Sequence, residues 1–323
     1  MKMGFIISHK NNEARRALLP DALTNIKNKS DIIIETGYGL PFGYNDENYI
    51  NAGLQIAKRK DVFKSDILVD VKLGDADYIN ELEKGKILVG WAHAVQKIDF
   101  TSAAMNGRHT VISWEEICED GRYVFYRNRE IAGEAAVLHG FRYSKKMPYD
   151  AKVCIIGNGQ TAKGCLRILH GLGAYVDIYP RKFEQLFKKK MFEYDVIINC
   201  VMWDTIRNDR LIYKSDLSKF KKGTLIIDVS CNNHLEIETS HPTNIDDPVY
   251  EIDGVLHYVV DNTPAMYSET VTKILSNIFS KYVDEIITGK YTKPIIDAIV
   301  IKEGCIIREE IRQFRKKRGL FTQ

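Results

Sequence analysis

A glycine-rich turn between an apolar run and a helical pattern constrains this chain more than any other feature. The run Val153-Cys154-Ile155-Ile156 leads into Gly157-Asn158-Gly159, and Gly164 follows on the helical side. The first glycine permits a tight turn, and the second lets backbone N–H groups approach a pyrophosphate. The pattern predicts a dinucleotide-binding unit, against the alternative of a tight connection that binds nothing. The residues expected to meet the cofactor phosphates are Gly157, Gly159, Gln160, Thr161 and Ala162.

The residues about 20 positions beyond this turn bear on the identity of the dinucleotide. A second predicted strand ends at Pro180, where an NAD-binding protein usually carries an acid for the ribose hydroxyls. Arg181 and Lys182 follow instead, and each could add a charge-assisted contact of about 1.5–3 kcal/mol with a 2′-phosphate. We therefore expect NADP(H) rather than NAD(H). The alternative is that both residues are solvated cations on a surface turn.

Length and element order indicate two α/β domains. At 323 residues the chain exceeds what one hydrophobic core usually organises. Beyond Pro264 an apolar stripe at helical spacing continues to a stop at Gly289, which predicts a long helix. We predict two Rossmann-like, doubly wound domains, of which the first is discontinuous and completed by C-terminal helices. The substrate domain is predicted to comprise residues 1–138 and 265–323, and the NADP-binding domain residues 139–264.

Short β-branched runs mark the strands of both predicted domains. Strands separated by crossover connections are typical of parallel sheets buried on both faces. A helical segment is expected to begin near Pro20 and to join the first two strands. The predicted strands lie at residues 4–8, 31–35, 66–72, 87–91 and 110–114 in the first domain, and at 153–156, 174–179, 195–201, 224–230 and 256–260 in the second.

Composition and cysteine spacing exclude several classes of protein. The apolar fraction of 45% and charged fraction of 28% are those of a soluble globular protein. The formal net charge of +3 is small and dispersed, so we expect no nucleic-acid partner. Without a long apolar run or a signal-like N-terminus, we expect a cytoplasmic protein and no membrane association. The six cysteines are scattered, with no Cys-x-x-Cys pair, so we expect no metal.

Three polar residues follow predicted strands of the first domain. Arg15 lies after the first strand, Lys72 at the end of the third, and His93 after the fourth. Ligands of open α/β sheets gather beyond the carboxyl ends of strands. Arg can bind a carboxylate bidentately, Lys can polarise a carbonyl or imine, and His can transfer a proton. The set would suit an oxo acid that is to be reduced, although each residue also has a purely structural interpretation.

Several longer motifs lie outside the glycine turn. They are Ser8–Asn12, Asn11–Pro20, Glu35–Gly39, Gly74–Tyr78, Gly90–Gln96, Glu130–His139 and Asp253–Asp261. Over nearly the whole chain they resemble the alanine dehydrogenases and their transhydrogenase relatives, and more closely the N5-(carboxyethyl)ornithine synthases. Enzymes of that branch condense pyruvate with the side-chain amine of ornithine and reduce the imine with NADPH. The resemblance implies an NADP-dependent oxidoreductase acting on CH–NH donors, and a homo-oligomer.

The same resemblance implies roles for individual residues. Arg15 matches the arginine that holds the oxo-acid carboxylate, Lys72 the lysine that contacts the substrate, and His93 the catalytic acid/base. For the α-ammonium of an ornithine-like substrate an anionic partner is needed. The candidates are Asp75, Glu116, Glu130 and Glu134.

One departure from the family pattern concerns the expected nicotinamide side. Ser230, Cys231 and Asn232 follow a predicted strand there and are expected to bind the cofactor. The family commonly has an aspartate two residues after the serine, whereas this chain has Asn232. This difference is compatible with a slower reaction, with a modified substrate, or with His234 taking the place of the missing carboxylate.

The sequence leaves four other functions open. An alanine dehydrogenase-type oxidative deaminase would use ammonia in place of the amine. A saccharopine-type enzyme would join lysine to a longer oxo acid. A catalytically silent NADP(H)-binding sensor remains compatible with Asn232, and a transhydrogenase subunit would need a separate membrane partner. The substrates expected from the resemblance are pyruvate with ornithine or lysine.

Overall fold

The computed structural model describes residues 1–205 and 207–322. The strands are β1 Met3–Phe5, β2 Ile32–Glu35, β3 Gln55–Ala57, β4 Ile67–Val69, β5 Ile87–Gly90, β6 Thr110–Ser113, β7 Cys118–Glu119, β8 Arg122–Tyr123, β9 Val153–Ile156, β10 Val176–Tyr179, β11 Val196–Asn199, β12 Leu225–Asp228, β13 Val249–Ile252, β14 Val255–Tyr258, β15 Ile299–Lys302 and β16 Cys305–Ile306. The α-helices are α1 Asp46–Asn51, α2 Arg59–Val62, α3 Ile98–Asn106, α4 Tyr126–Gly140, α5 Gln160–Gly171, α6 Glu184–Lys190, α7 Ser268–Thr288, α8 Lys293–Asp297 and α9 Glu309–Lys316. Among the described residues, no helix combines the length and apolar character needed to cross a bilayer.

The chain divides into two compact units, one of Met1–Phe125 with Ser268–Gln323 and one of Tyr126–Tyr267. The first boundary lies earlier than predicted, so that α4 belongs to the second unit. The reason is close packing of α4 against α5. A Cβ added at Gly164 of α5 would lie 1.9 Å from the Glu130 carbonyl oxygen of α4, so the helix backbones meet almost directly. Only a residue without a side chain fits there.

The first unit is built on an eight-stranded sheet in the order β16-β15-β6-β5-β4-β1-β2-β3. The strands from β6 to β3 are mutually parallel, and their central members are buried on both faces. The C-terminal strand β15 pairs antiparallel with β6. The last part of the chain therefore supplies strands as well as helices to this unit, whereas the sequence predicted helices alone.

Helix α7 closes the core of the first unit. Its apolar stripe is buried, and Phe279 packs edge-on against Phe5 at a centroid distance of 6.2 Å. The helix ends where predicted, with Gly289 in the left-handed conformation at φ 71°. Such an αL residue is the usual way for a helix to stop.

The helical segment predicted near Pro20 is wrong. Two separate 3-10 turns, Pro20–Ala22 and Lys29–Asp31, form in this connection instead. The reason lies in α7, whose side chains satisfy the backbone of this connection. The Ser276 hydroxyl accepts a hydrogen bond from the Leu19 N–H at 2.8 Å, and the Asp284 carboxylate accepts one from the Lys27 N–H at 2.9 Å. Backbone donors satisfied in this way do not need an α-helix of their own.

The second unit contains a six-stranded sheet in the order β10-β9-β11-β12-β14-β13. All neighbours are parallel except β13, which pairs antiparallel with β14. The chain passes from β9 through α5 to β10, and then through α6 to β11 on the other side of β9. The strand order reverses between β9 and β11, which is where doubly wound sheets bind their ligands.

Candidate functional site

Four neighbouring parallel strands of the first unit end at one edge of its sheet. These are β1, β4, β5 and β6, which lie side by side. Arg15 follows β1, Lys72 follows β4, and His93 follows β5. The structure thus brings the three predicted substrate-site residues to the same edge. Each of them has an acidic partner that the sequence interpretation did not assign.

Arg15 is fixed by Glu13, two residues earlier. The guanidinium donates from Nε to Glu13 Oε1 at 2.9 Å and from Nη2 to Oε2 at 2.6 Å. The guanidinium carbon also lies 4.9 Å from the ring centroid of Trp91. Arg15 is only 1% exposed. The planar cation is therefore held rigidly, with one edge covered by a carboxylate.

Lys72 belongs to a cluster of three lysines around one carboxylate. Its Nζ lies 3.7 Å from Asp75 Oδ2, Lys10 lies 3.2 Å from the same oxygen, and Lys97 contacts Oδ1. Burial by itself favours the protonated form of Asp75, but the three ammonium groups outweigh it and lower the pKa of that carboxyl. Three ammonium groups thus lie close together near the carboxyl end of β4, an arrangement that could attract an anionic substrate.

His93 is paired with Glu115, which follows β6. The distance from Nδ1 to Glu115 Oε1 is 3.1 Å, and the same oxygen accepts from the His93 backbone N–H at 2.7 Å. The backbone of His93 lies in the left-handed region at φ 44°, which Glu115 helps to hold. The imidazole is 41% exposed, more than Arg15 or Lys72. A histidine oriented by a carboxylate and open to solvent is suited to proton transfer.

A fully buried acid, Asp70, lies just before Lys72. It accepts hydrogen bonds from the Lys72 backbone N–H and from the Tyr78 hydroxyl, both at 2.9 Å. Burial raises the pKa of Asp70 to about 6, although these hydrogen bonds act in the opposite direction. No sequence pattern singles out Asp70, because its burial depends on the neighbouring strands.

The glycine turn of the second unit has the geometry that a pyrophosphate requires. Gly157 adopts φ 111°, and a Cβ there would lie 2.8 Å from the Cys200 carbonyl oxygen. At Gly159 an added Cβ would meet no atom within 4 Å, so the space beside the start of α5 is open. Gln160 and Thr161 form the first turn of α5, whose N–H groups face that end of the helix. These residues fit a dinucleotide phosphate.

Arg181 and Lys182 are exposed in a short turn directly after β10. The strand itself ends at Tyr179, so no carboxylate stands at its carboxyl end. Asp177, the nearest acid before it on β10, accepts from the Tyr194 hydroxyl at 2.6 Å. The turn Arg181–Phe183, where the ribose of a dinucleotide is expected, therefore contains two cations and no acid.

The residues after β12 form a polar loop. Ser230 donates from its hydroxyl to the Val201 carbonyl at 2.7 Å, and the Cys231 thiol donates to the Asp228 carbonyl at 3.2 Å. Cys231 adopts φ 52°. The Asn232 side chain donates to Glu236, a residue that the sequence interpretation missed. His234 contacts the Glu238 carbonyl of the same loop.

The acids considered for an amine substrate all have cationic partners. Asp75 contacts three lysines, and Glu116 lies 2.9 Å from Arg308. Glu130 and Glu134 both accept from Arg127 at 2.7 Å and from Arg167. In the part of the chain that the structure describes, no group of three or more His, Cys, Asp or Glu side chains could hold a metal ion.

Comparison with known proteins gives the family. Residues 8–126 match the N-terminal domain, and residues 180–313 the C-terminal domain, of alanine dehydrogenase/PNT. An N(5)-(carboxyethyl)ornithine synthase of Lactococcus lactis subsp. lactis is 32% identical over 87% of this chain and 94% of its own length. An N(5)-(carboxyethyl)ornithine synthase of Clostridium botulinum is 29% identical over 88% of this chain and 94% of its own length. The alanine dehydrogenase of Bacillus subtilis is 27% identical over 91% of this chain and 88% of its own length.

Solved structures agree on the fold. An L-alanine dehydrogenase aligns with a TM-score of 0.81 at 22% identity, covering 98% of this chain and 99% of the other. The transhydrogenase from Sinorhizobium meliloti aligns with a TM-score of 0.76 at 17% identity, covering 95% and 99%. The predicted fold class and the predicted family are both confirmed. The chain belongs to the alanine dehydrogenase/PNT family of nicotinamide-dinucleotide oxidoreductases, in the branch of the N(5)-(carboxyethyl)ornithine synthases.

Proposed function

We propose that this chain catalyses the NADPH-dependent reductive condensation of pyruvate with the side-chain amine of ornithine or lysine, giving an N-(1-carboxyethyl) amino acid. The observation that carries this proposal is the convergence of Arg15, Lys72 and His93 at one sheet edge of the first unit. An oxo acid needs a cation for its carboxylate, a donor for its carbonyl oxygen and a group that transfers a proton. The relatives are named N(5)-(carboxyethyl)ornithine synthases, and a carboxyethyl group on the side-chain nitrogen of ornithine is what reductive condensation with pyruvate would produce.

The first unit would bind and activate pyruvate. Arg15, held in place by Glu13, would supply the positive charge that attracts the carboxylate. Lys72 would donate to the carbonyl oxygen and draw electron density from the carbon that the amine attacks. Because both cations are buried, water screens them little, and their interaction with an anion is correspondingly strong. Held in this way, the oxo carbon lies within reach of the amine.

His93 would carry the proton steps. The amine nitrogen forms a bond to the oxo carbon as the π electrons of the C=O bond move to oxygen, and a proton passes from the nitrogen to that oxygen, giving a carbinolamine. His93 then donates a proton to the hydroxyl group, which leaves as water, while the nitrogen lone pair forms the C=N bond of the iminium ion. Glu115 stabilises the charged imidazolium before this transfer and keeps the ring in place. When bound, NADPH supplies the hydride that reduces the iminium carbon.

The choice of NADPH over NADH rests on the turn after β10. Arg181 and Lys182 are exposed there and suit a 2′-phosphate, and the strand end carries no acid for a free ribose hydroxyl. The glycine turn and the first residues of α5 would hold the pyrophosphate, and Ser230, Cys231 and Asn232 would face the nicotinamide side.

The experiment is NADPH consumption with pyruvate and one added amine: ornithine, lysine or ammonia. Consumption that requires both pyruvate and ornithine or lysine supports the proposal. Consumption with ammonia alone would assign the protein to alanine dehydrogenase chemistry instead. We expect His93→Gln to lower kcat/KM about a hundredfold or more, whereas the control His170→Gln, at an exposed position on α5, should retain it. Equal activity of the two variants would contradict the role of His93.

A further inference from the structure

A cluster of buried polar side chains underlies the loop after β12. The cluster consists of Asn199, Asp228, Glu236 and Ser240, all of them 0% exposed. Asn199 Nδ2 donates to Asp228 Oδ1 and to Glu236 Oε1, both at 2.9 Å, and the Ser240 hydroxyl donates to Asp228. Asn199 thus bridges the two carboxylates at the carboxyl ends of neighbouring strands β11 and β12, and Asp228 Oδ1 also accepts from the backbone N–H groups of Ser230 and Cys231 at 3.1 and 3.3 Å. Within residues 1–205 and 207–322 neither acid forms a salt bridge, so the burial of both carboxyl groups is costly.

Glu236 connects this cluster to the candidate cofactor loop. The Asn232 Nδ2 atom donates to Oε1 of Glu236 at 3.0 Å and to Oε2 at 3.1 Å. The amino group of Asn232 is therefore committed to the carboxylate, and its carbonyl oxygen is the atom that can still accept. Asn232 is partly exposed, whereas Glu236 is not. The buried Glu236 side chain thus orients the partly exposed Asn232 amide.

We propose that Glu236 is a positioning residue for the cofactor site, which holds the Asn232 amide so that its oxygen is offered to an N–H donor such as the carboxamide of nicotinamide. In this arrangement the Asn232 oxygen provides the hydrogen-bond acceptor that an aspartate at position 232 would otherwise provide. The inference rests on the proposed cofactor site, but not on the identity of the amine substrate.

The ionisation of the pair agrees with this arrangement. Burial, and then the charge of Asp228, raise the pKa of Glu236 to about 7, and burial also raises the pKa of Asp228. The two acids therefore retain a proton between them up to near-neutral pH. Titratable and charged groups that interact with the pair or its loop include the phenol of Tyr250, the thiols of Cys200 and Cys231, the guanidinium of Arg210 and the imidazole of His234. Tyr250 and Cys200 have raised pKa values and stay neutral near pH 7.

The test exchanges the acid and the amide. Glu236→Gln leaves two amides facing each other, and one Gln oxygen cannot replace two carboxylate oxygens. Asn232→Asp places a third acid against the pair. In the double variant one acid faces one amide again, with their positions reversed. Glu238→Gln, at an exposed position of the same loop, is the matched control.

NADPH affinity is measured by fluorescence titration. We expect each single variant to bind about tenfold more weakly or worse, and the double variant to recover to within about threefold of the wild type. Glu238→Gln should bind like the wild type. Unchanged affinity in Glu236→Gln, or losses in the double variant that simply add, would overturn the proposal.

A second readout needs no cofactor. With a raised folded-state pKa, the stability that protonated Glu236 contributes is present below about pH 4 and is lost as the pH rises toward 7. The melting temperature of Glu236→Gln should therefore fall less over this range than that of the wild type, and an identical fall in both would count against the shared proton. If NADPH binding follows the expected pattern but no amine is turned over, the proposed function fails and the role of Glu236 stands.

Discussion

The crossing of α4 and α5 allows a prediction whose size follows from the geometry. In Gly164→Ala the new Cβ would lie 1.9 Å from the Glu130 carbonyl oxygen and 2.7 Å from its carbonyl carbon. Both are backbone atoms, so no side-chain rotation can relieve the clash. Ordinary contacts begin near 3.4 Å, and the helices would have to separate by roughly 1.5 Å in a close-packed interior.

Two opposing effects determine how far Gly164→Ala changes the free energy of unfolding. Overpacking of this kind costs about 1–3 kcal/mol and sometimes more, whereas alanine gains up to about 1 kcal/mol over glycine in a helix. Because both clashing atoms belong to the backbone, we place the overpacking cost at about 3 kcal/mol, and subtracting a gain of about 1 kcal/mol leaves an expected loss of roughly 2 kcal/mol in the free energy of unfolding of Gly164→Ala. The control is Gly171→Ala at the end of the same helix, where a Cβ would meet nothing within 4 Å. This change should be neutral or slightly stabilising.

The assay is urea unfolding of both variants and the wild type, followed by NADPH titration. Separation of the helices also shifts the N-terminus of α5, so Gly164→Ala should weaken NADPH binding, and Gly171→Ala should not. A Gly164→Ala protein as stable as Gly171→Ala would refute the reasoning, because it would mean that α4 moves without cost.

Two further predictions concern charge. The pKa of Asp70 is raised to about 6 by burial, so the stability of the protonated carboxyl is lost between about pH 4 and 6. We compare the free energy of unfolding of the wild type with that of Asp70→Asn at pH 4 and at pH 7. The advantage of the wild type should be larger at pH 4, by up to roughly 3 kcal/mol. An equal advantage at the two pH values would contradict this prediction. Replacing Arg181 and Lys182 together by alanine should weaken NADPH binding about tenfold or more and leave NADH binding nearly unchanged, as measured by fluorescence titration; equal losses for both cofactors would show that the two cations do not recognise the 2′-phosphate.

The sequence predicted the central strands of both sheets well. Their β-branched runs are long enough to indicate burial on both faces, as in β9, β11 and β12. The strands that it missed are short or partly exposed at sheet edges, such as β3, β13 and β16. Each of these strands pairs with a single neighbouring strand, and some of its side chains are exposed to solvent. Their sequences therefore lack the continuous apolar run that marks a buried strand.

The site could be predicted only in part. Arg15, Lys72 and His93 follow strand ends, and a general rule about α/β sheets places such residues near ligands. Their acidic partners depend on strand order, which the sequence does not state. Glu115 meets His93 because β5 and β6 are neighbours. The burial of Glu236 depends likewise on how a loop folds back on β11 and β12.

The pairing of β15 with β6 affects the order in which the protein can fold during synthesis. Residues 126–267 are contiguous, so the second unit can be completed while the chain is still growing. The first sheet must wait, because β15 is made almost 190 residues after β6, which ends at Ser113. Until then β6 presents an unpaired strand edge, the kind of surface on which nascent chains associate wrongly. For this chain, the unit translated first is the last to be finished.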